Sequence, residues 1–308
     1  MNPIRKAAEI YIKNGIKVIP TENKQAIVSD WGKYIVSDID LSLFNGANEL
    51  AMLMGGKFNL TCIDVDEKYD LSGNLFESLK NKLGSVVNKM RINMTRNGGK
   101  HLIFSCKDIC EGNLKLANRP TTDAEKRAYF DKMMSLGKPF EESAMASLAH
   151  KSVVLIETRG RGGYIIAPPS NGYYKLSGEI GILTLEEYNF VIDTCRSFNT
   201  FVKPTRPHTY DSSISAKIKK FNADNNTLDI LKRFGWEESG VNNRGYVMLK
   251  RPGADSDHSA YYNKEDGGFW VKSTSTIFDV DKRYTPFDII LLLKYNGDFN
   301  YANEVFNF

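Results

Sequence analysis

Asp64 and Asp66 stand two residues apart at the end of an apolar run, Leu60-Thr61-Cys62-Ile63-Asp64-Val65-Asp66. Residues two apart on a strand share a face, so both carboxylates point the same way. Like charges that close are unfavourable unless a cation lies between them or one is protonated. Such a pair suits Mg2+ or Mn2+, although Asp-x-Asp also ends strands for purely local hydrogen-bonding reasons. A second element, Thr95-Arg96-Asn97-Gly98-Gly99-Lys100-His101, pairs glycines that permit close backbone approach with basic side chains suited to phosphate. The same residues also fit an ordinary hairpin with solvated charges. Third, Glu157 ends the apolar run Val153–Glu157 ahead of Thr158-Arg159-Gly160-Arg161-Gly162-Gly163. Beside the two aspartates it would complete a two-metal site; otherwise it is a surface acid near a glycine-rich tip. No G-x-x-x-x-G-K-[ST] occurs, which excludes a P-loop NTPase.

The elements that must position these groups are legible in outline. Ile4, Ala7, Ala8 and Tyr11 recur at helical spacing, with Gly15 as a stop. Ile16–Pro20, Leu60–Asp66 and Lys100–Ser105 read as strands, and Val153–Glu157 and Tyr164–Ala167 as a hairpin across RGRGG. Asp123–Leu136 reads as an inserted charged helix, and Thr184–Phe198 as a helix opened by a Thr184/Glu187 capping box. Strands interleaved with helices and hairpins predict an α+β fold. Pro204, Pro207, Ser212, Ser213 and Ser215 mark a linker, giving expected domains of 1–205 and 226–308 joined through 206–225. In the second domain, helices are expected over Thr227–Phe234 and Pro286–Tyr295, and strands over Tyr246–Leu249 and Phe269–Lys272.

A length of 308 residues fits two domains, and 42% hydrophobic with 25% charged residues excludes a disordered or fibrous chain. The net charge of +4 is too small to prove a nucleic-acid partner. Residues 216–308 hold 13 basic and 13 acidic residues, so the excess lies in the first domain. Those same residues carry 16 of the 35 Phe, Trp and Tyr, the mark of a compact unit. Trp236, Trp270, Tyr261 and Tyr262 could stack on bases or fill that unit's core. No apolar run approaches the ~20 residues of a membrane span, and the N-terminus lacks a signal peptide's apolar region. Four scattered cysteines argue against a disulfide framework, and a cytoplasmic location is expected.

The order IDVD, NGGKH and VLIETRGRGGYIIAPPS resembles the bifunctional primase–polymerase branch of the archaeo-eukaryotic primase superfamily, of the phage and plasmid replication type. The GIKVIP strand, Lys24, Trp31 and the stretch Asn113–Ala117 agree with it, and the resemblance spans roughly residues 1–200. It implies an RRM-like catalytic core and a DNA primase/polymerase acting by two-metal nucleotidyl transfer. Asp64, Asp66 and Glu157 would bind the metals, and His101 the triphosphate, with Lys100, Arg159, Arg96 and Asn97 assisting. Lys24-Gln25-Ala26 departs from the family's lysine-x-proline. The tail (FGWEE, KRPG, YTPFDIILLLKYNGDFNYA) resembles the small accessory domain between primase and helicase modules. The implied partners are a single-stranded DNA template, dNTPs or NTPs, and a helicase in cis or in trans, in a bacterial host cell and without a membrane. Zinc is not expected: of His101, Cys106, Cys110 and His150, the first serves the nucleotide. Isolated His208 and His258 are expected to be solvated. Two rivals are a single-stranded-DNA-binding module with reduced catalysis and a rolling-circle nuclease. The nuclease needs closely spaced histidines that this chain lacks.

Overall fold

Asn2 caps the first helix, its side chain accepting from the Ile4 amide at 2.9 Å while its own amide nitrogen donates to carbonyls of residues 44, 45 and 47. The computed structural model describes residues 2–203, 212–254, 258–273, 276–299 and 302. The chain begins with α1 (Pro3–Lys13), β1 (Val18–Glu22), β2 (Gln25–Ala26), β3 (Glu49–Leu53) and β4 (Leu60–Val65). Helix α2 (Leu75–Leu83), strands β5 (Arg91–Met94) and β6 (Lys100–Cys106), and β7 (Lys115–Pro120) follow. Two helices, α3 (Asp123–Ser135) and α4 (Phe140–Ala149), precede β8 (Ser152–Arg159), β9 (Tyr164–Ala167), β10 (Tyr174–Ser177), β11 (Ile182–Leu183) and α5 (Leu185–Arg196). The Thr184/Glu187 capping box forms as expected.

One compact unit comprises Met1–Arg119 and Val153–Thr200. Its larger sheet runs β10-β5-β6-β4-β8-β7, with β11 parallel to β6; its smaller sheet runs β2-β1-β3-β9. One face of the larger sheet packs Ile63, Val65, Leu102, Phe104 and Ile156 against apolar residues of α2 and α5. The opposite face packs Cys62 and Ile103 against α1 and the smaller sheet. Helices and two mostly antiparallel sheets make this an α+β unit, in agreement with the sequence reading.

The expected RGRGG hairpin is corrected. β8 pairs with β4, whereas β9 pairs with β3 in the other sheet, so the glycine-rich segment crosses between sheets. It is seated against residues 111–113: Thr158 Oγ1 donates to the Gly112 carbonyl at 2.9 Å, and the Arg161 amide to the Glu111 carbonyl at 2.8 Å. A Cβ on Gly160 would lie 2.0 Å from the Glu111 carbonyl oxygen, so only glycine fits there.

The second compact unit is Pro120–Ser152 with Phe201–Phe308. The expected continuous domain 1–205 is thus interrupted, because residues 120–152, with the inserted helices, group with the C-terminal residues. Met145 and Ala149 of α4 pack on a core that includes Leu231, Trp236, Phe269 and Leu292. The excursion closes on itself, the Thr121 amide donating to the Lys151 carbonyl at 3.0 Å. Beyond it come α6 (Ser212–Asp224), α7 (Thr227–Arg233), β12 (Glu237–Val241), β13 (Val247–Lys250), β14 (Ala260–Tyr262), β15 (Phe269–Val271), β16 (Arg283–Tyr284) and α8 (Pro286–Leu293). The five strands pair in sequence order, and α8 opens with a Thr285/Asp288 capping box. Helix α6 falls where a linker was expected; Ile218 packs beside Phe287, Leu291 and Tyr295. Residues 204–211, including His208, lie outside the described residues. Among the described residues, no helix is long and apolar enough to cross a membrane.

Candidate active site

Strand β4 lies between β6 and β8, and its register places Asp64 opposite His101 on one side and Glu157 on the other. His101 in turn faces Asn93 on β5, and Asn93 faces Lys175 on β10. Cross-strand partners share a face, so Lys175, Asn93, His101, Asp64 and Glu157 form one row across five strands. The row lies on the face that holds Cys62 and Ile103 in the apolar core one pleat away. The site is therefore the point where a buried face turns polar.

The electrostatics follow from that burial. Asp64 retains 17% side-chain exposure, and desolvation pushes its carboxyl up to about 6 against the opposing pull of Arg159. Burial also raises Glu157, opposed by Arg159 and Lys115. His101 Nε2 stands 3.6 Å from Asp64 Oδ1; burial, then the charge of Arg159, lower the imidazole to about 3, so it is neutral at pH 7. Arg159 bridges the acids, its Nε 3.6 Å from Asp64 Oδ2 and its Nη2 paired with Glu157 Oε1. Lys115 Nζ lies 3.7 Å from Glu157 Oε2. Asp66 sits just beyond β4, its Oδ1 3.5 Å from Lys68 Nζ and its amide bonded to the Leu155 carbonyl.

Of the residues singled out from sequence, Asp64, Glu157, His101 and Arg159 are brought together, with Asp66 two positions along the same strand direction. Lys100 is not: pleat alternation turns it to the opposite face, where its ammonium pairs with Glu67 and lies 5.3 Å from the Phe76 ring centroid. Arg96 is tied to Glu49 and to the Asn171 carbonyl at 3.0 Å, and Asn97 is exposed at the tip of the Thr95–Gly99 turn. Gly99 there faces the Val65 carbonyl oxygen, 2.5 Å from where a Cβ would lie, so chain packing already accounts for that glycine. In the other motif, Ser170 is clamped to Leu50, accepting from its amide at 2.9 Å and donating to its carbonyl at 3.2 Å. Sequence reasoning missed Asn93, Arg91 and Lys115. Their alternation with Ile92, Met94, Leu114 and Leu116 was the available signal.

Among the described residues, no three His, Cys, Asp or Glu side chains converge as a metal-holding group. The donor chemistry nonetheless suits a hard cation, because the Arg159 guanidinium already stands in as the positive charge between Asp64 and Glu157. All four cysteines are buried and unpaired.

The fold and this row define an α+β unit that sets acids beside phosphate-type donors on one antiparallel sheet. The family description "Bifunctional DNA primase/polymerase, N-terminal" matches residues 8–183. That span exceeds half of the 308 residues, and the chain belongs to the bifunctional DNA primase/polymerase family. Its general activity is of the DNA primase/polymerase, nucleotidyltransferase type. No curated protein matches the chain.

Proposed function

We propose that the chain synthesises and extends primers on single-stranded DNA by template-directed nucleotidyl transfer. The observation that carries this reading is the in-register row Glu157–Asp64–His101 on three adjacent strands. Mg2+ or Mn2+ held by Asp64, Asp66 and Glu157 would supply activation of the 3′-hydroxyl and neutralisation of the departing pyrophosphate. Arg159 turns from the acids toward the triphosphate when they are occupied, and His101 donates to a phosphate oxygen. The apolar floor beneath Asp64 keeps water away and strengthens each of these contacts. The substrates are dNTPs or NTPs on a single-stranded template, with a helicase acting in cis or in trans.

The test is primer extension and unprimed synthesis on a single-stranded template, with each nucleotide set and each metal. Metal-dependent incorporation supports the reading. Template binding without incorporation under any combination would leave a DNA-binding module with reduced catalysis, which the Arg159 bridge between the acids would favour.

His101→Ala is expected to weaken nucleotide use roughly 10- to 150-fold, the equivalent of ~1.5–3 kcal/mol for a hydrogen bond to a charged group. Template affinity should be unchanged. Steady-state kinetics alongside a DNA-binding titration check both, and a collapse of DNA affinity with an unaltered nucleotide constant would remove His101 from the phosphate.

In the second unit, burial divides the four aromatics. Trp236 and Tyr262 are buried in its core, Trp236 lying 5.4 Å from Phe269, ring to ring. Tyr261 and Trp270 face each other across β14 and β15 on the other side of the sheet and are only partly buried, with Tyr246 5.1 Å from Trp270. Trp270→Ala should therefore lower affinity for single-stranded DNA about 5- to 150-fold, from ~1–3 kcal/mol per stacked base. Trp236→Phe should affect stability and leave DNA binding alone. Unchanged DNA binding by Trp270→Ala would assign that face no template role.

A further inference from the structure

Asn93 is completely buried on β5, directly opposite His101. Its Oδ1 accepts from Arg91 Nε at 3.1 Å, and Arg91 is itself held, its Nη2 donating to the Tyr11 hydroxyl at 3.0 Å. That bond fixes the amide orientation and leaves Nδ2 pointing elsewhere. Nδ2 has no partner, and neither does Nδ1 of His101. Buried polar atoms are nearly always satisfied, and an orphaned donor is costly to keep. Two orphans on facing residues of one row, beside the acids, are placed to take a partner that arrives with a ligand.

The row is also polarised. Its acids, Asp64 and Glu157, stand on β4 and β8, while His101, Asn93 and Lys175 on β6, β5 and β10 offer donors. An anionic group lying along the row away from the acids would meet His101 and Asn93 first, with Lys175, itself paired with Glu179, at the outer end. We propose that Asn93 is a nucleotide-binding residue, its Nδ2 donating to a phosphate oxygen of the incoming nucleoside triphosphate beside His101. This rests on the nucleotidyl-transfer reading and lengthens its phosphate subsite by one strand. Nothing in the family resemblance marks Asn93, which precedes the glycine turn.

The experiment uses the full chain and a non-hydrolysable nucleoside triphosphate, with affinity by calorimetry and melting measured with and without that nucleotide. Asn93→Leu, close in volume and apolar, should melt close to the wild-type temperature without nucleotide, because removing the orphaned Nδ2 offsets the loss of the acceptor for Arg91 Nε. It should bind the triphosphate about tenfold more weakly, and bind single-stranded DNA as the wild type does. Asn93→Ala, free of any overpacking, should show the same loss of nucleotide affinity. Wild-type nucleotide affinity in Asn93→Leu would overturn the proposal alone, a buried water then being the amide's partner. Both variants melting far below wild type would overturn it too, by making the amide a structural prop for Arg91. A wild-type chain that binds no triphosphate would sink the nucleotidyl-transfer reading and this proposal with it.

Discussion

Asp64→Asn is expected to cut metal-dependent incorporation by at least ~10²–10³-fold, the scale set by removing one preorganised group from the charge-stabilising machinery. The same substitution should make the metal-free protein more stable at pH 7. Asp64 holds its proton up to about pH 6 in the folded chain, against an ordinary carboxyl value near 3.8. Below about pH 4 both states are protonated and the group is neutral in the balance. As pH rises from 4 to 6 the unfolded chain releases a proton that the folded chain retains, so stability falls; above 6 the full cost remains. With the side chain mostly buried, that cost is roughly 2–3 kcal/mol at pH 7. An amide avoids it while Arg159 keeps its pairing with Glu157. Melting temperature against pH should therefore decline between pH 4 and 6 less steeply in Asp64→Asn than in wild type. Wild-type incorporation by the variant at saturating metal would take Asp64 out of the site.

A fragment ending near residue 203 is expected to give little soluble monomer, although every proposed metal and triphosphate ligand precedes that cut. The sequence alone argues for an independent, extension-competent fragment, with initiation lost along with the tail. The structure changes the expectation, because α3 and α4 would lose the core on which Met145 and Ala149 pack. Replacing residues 122–150 of this fragment by a short turn should restore a folded monomer able to extend a primer. The hydrogen-bonded approach of Thr121 to Lys151 leaves little gap to close. Gel filtration and primer extension of both fragments check this. A monomeric and active 1–203 fragment that retains the two helices would show that they need no partner.

What could be read in advance follows the range of each signal. Strand β4 and the capping box at Thr184 are local patterns, and both are present. The partner of a strand is not local. Val153–Glu157 and Tyr164–Ala167 flank a glycine-rich turn as hairpin strands do, yet they join different sheets. Lys100 and His101 are neighbours in a motif, but pleating sends them to opposite faces, and a motif carries no face label. Helix α6 was hidden because prolines upstream and serines in its own first turn outweighed Ile214, Ile218 and Phe221, whose spacing fits one helical face. Asn93 was invisible for another reason: an unsatisfied amide exists only once its surroundings do.

The interruption of the catalytic unit by residues 120–152 also bears on synthesis of the chain. The first unit is complete once Thr200 has emerged from the ribosome, whereas α3 and α4 are made long before α7, β15 and α8, against which they complete a core. At about 5–20 residues per second, that delay is on the order of ten seconds. Through that interval the helical pair is a nascent appendage with Met145 and Ala149 uncovered, open to chaperones and to neighbouring chains on the same message. Slow-translating stretches placed after residue 150 would lengthen the exposure. A permuted chain beginning near Phe201 would instead make the waiting partner first.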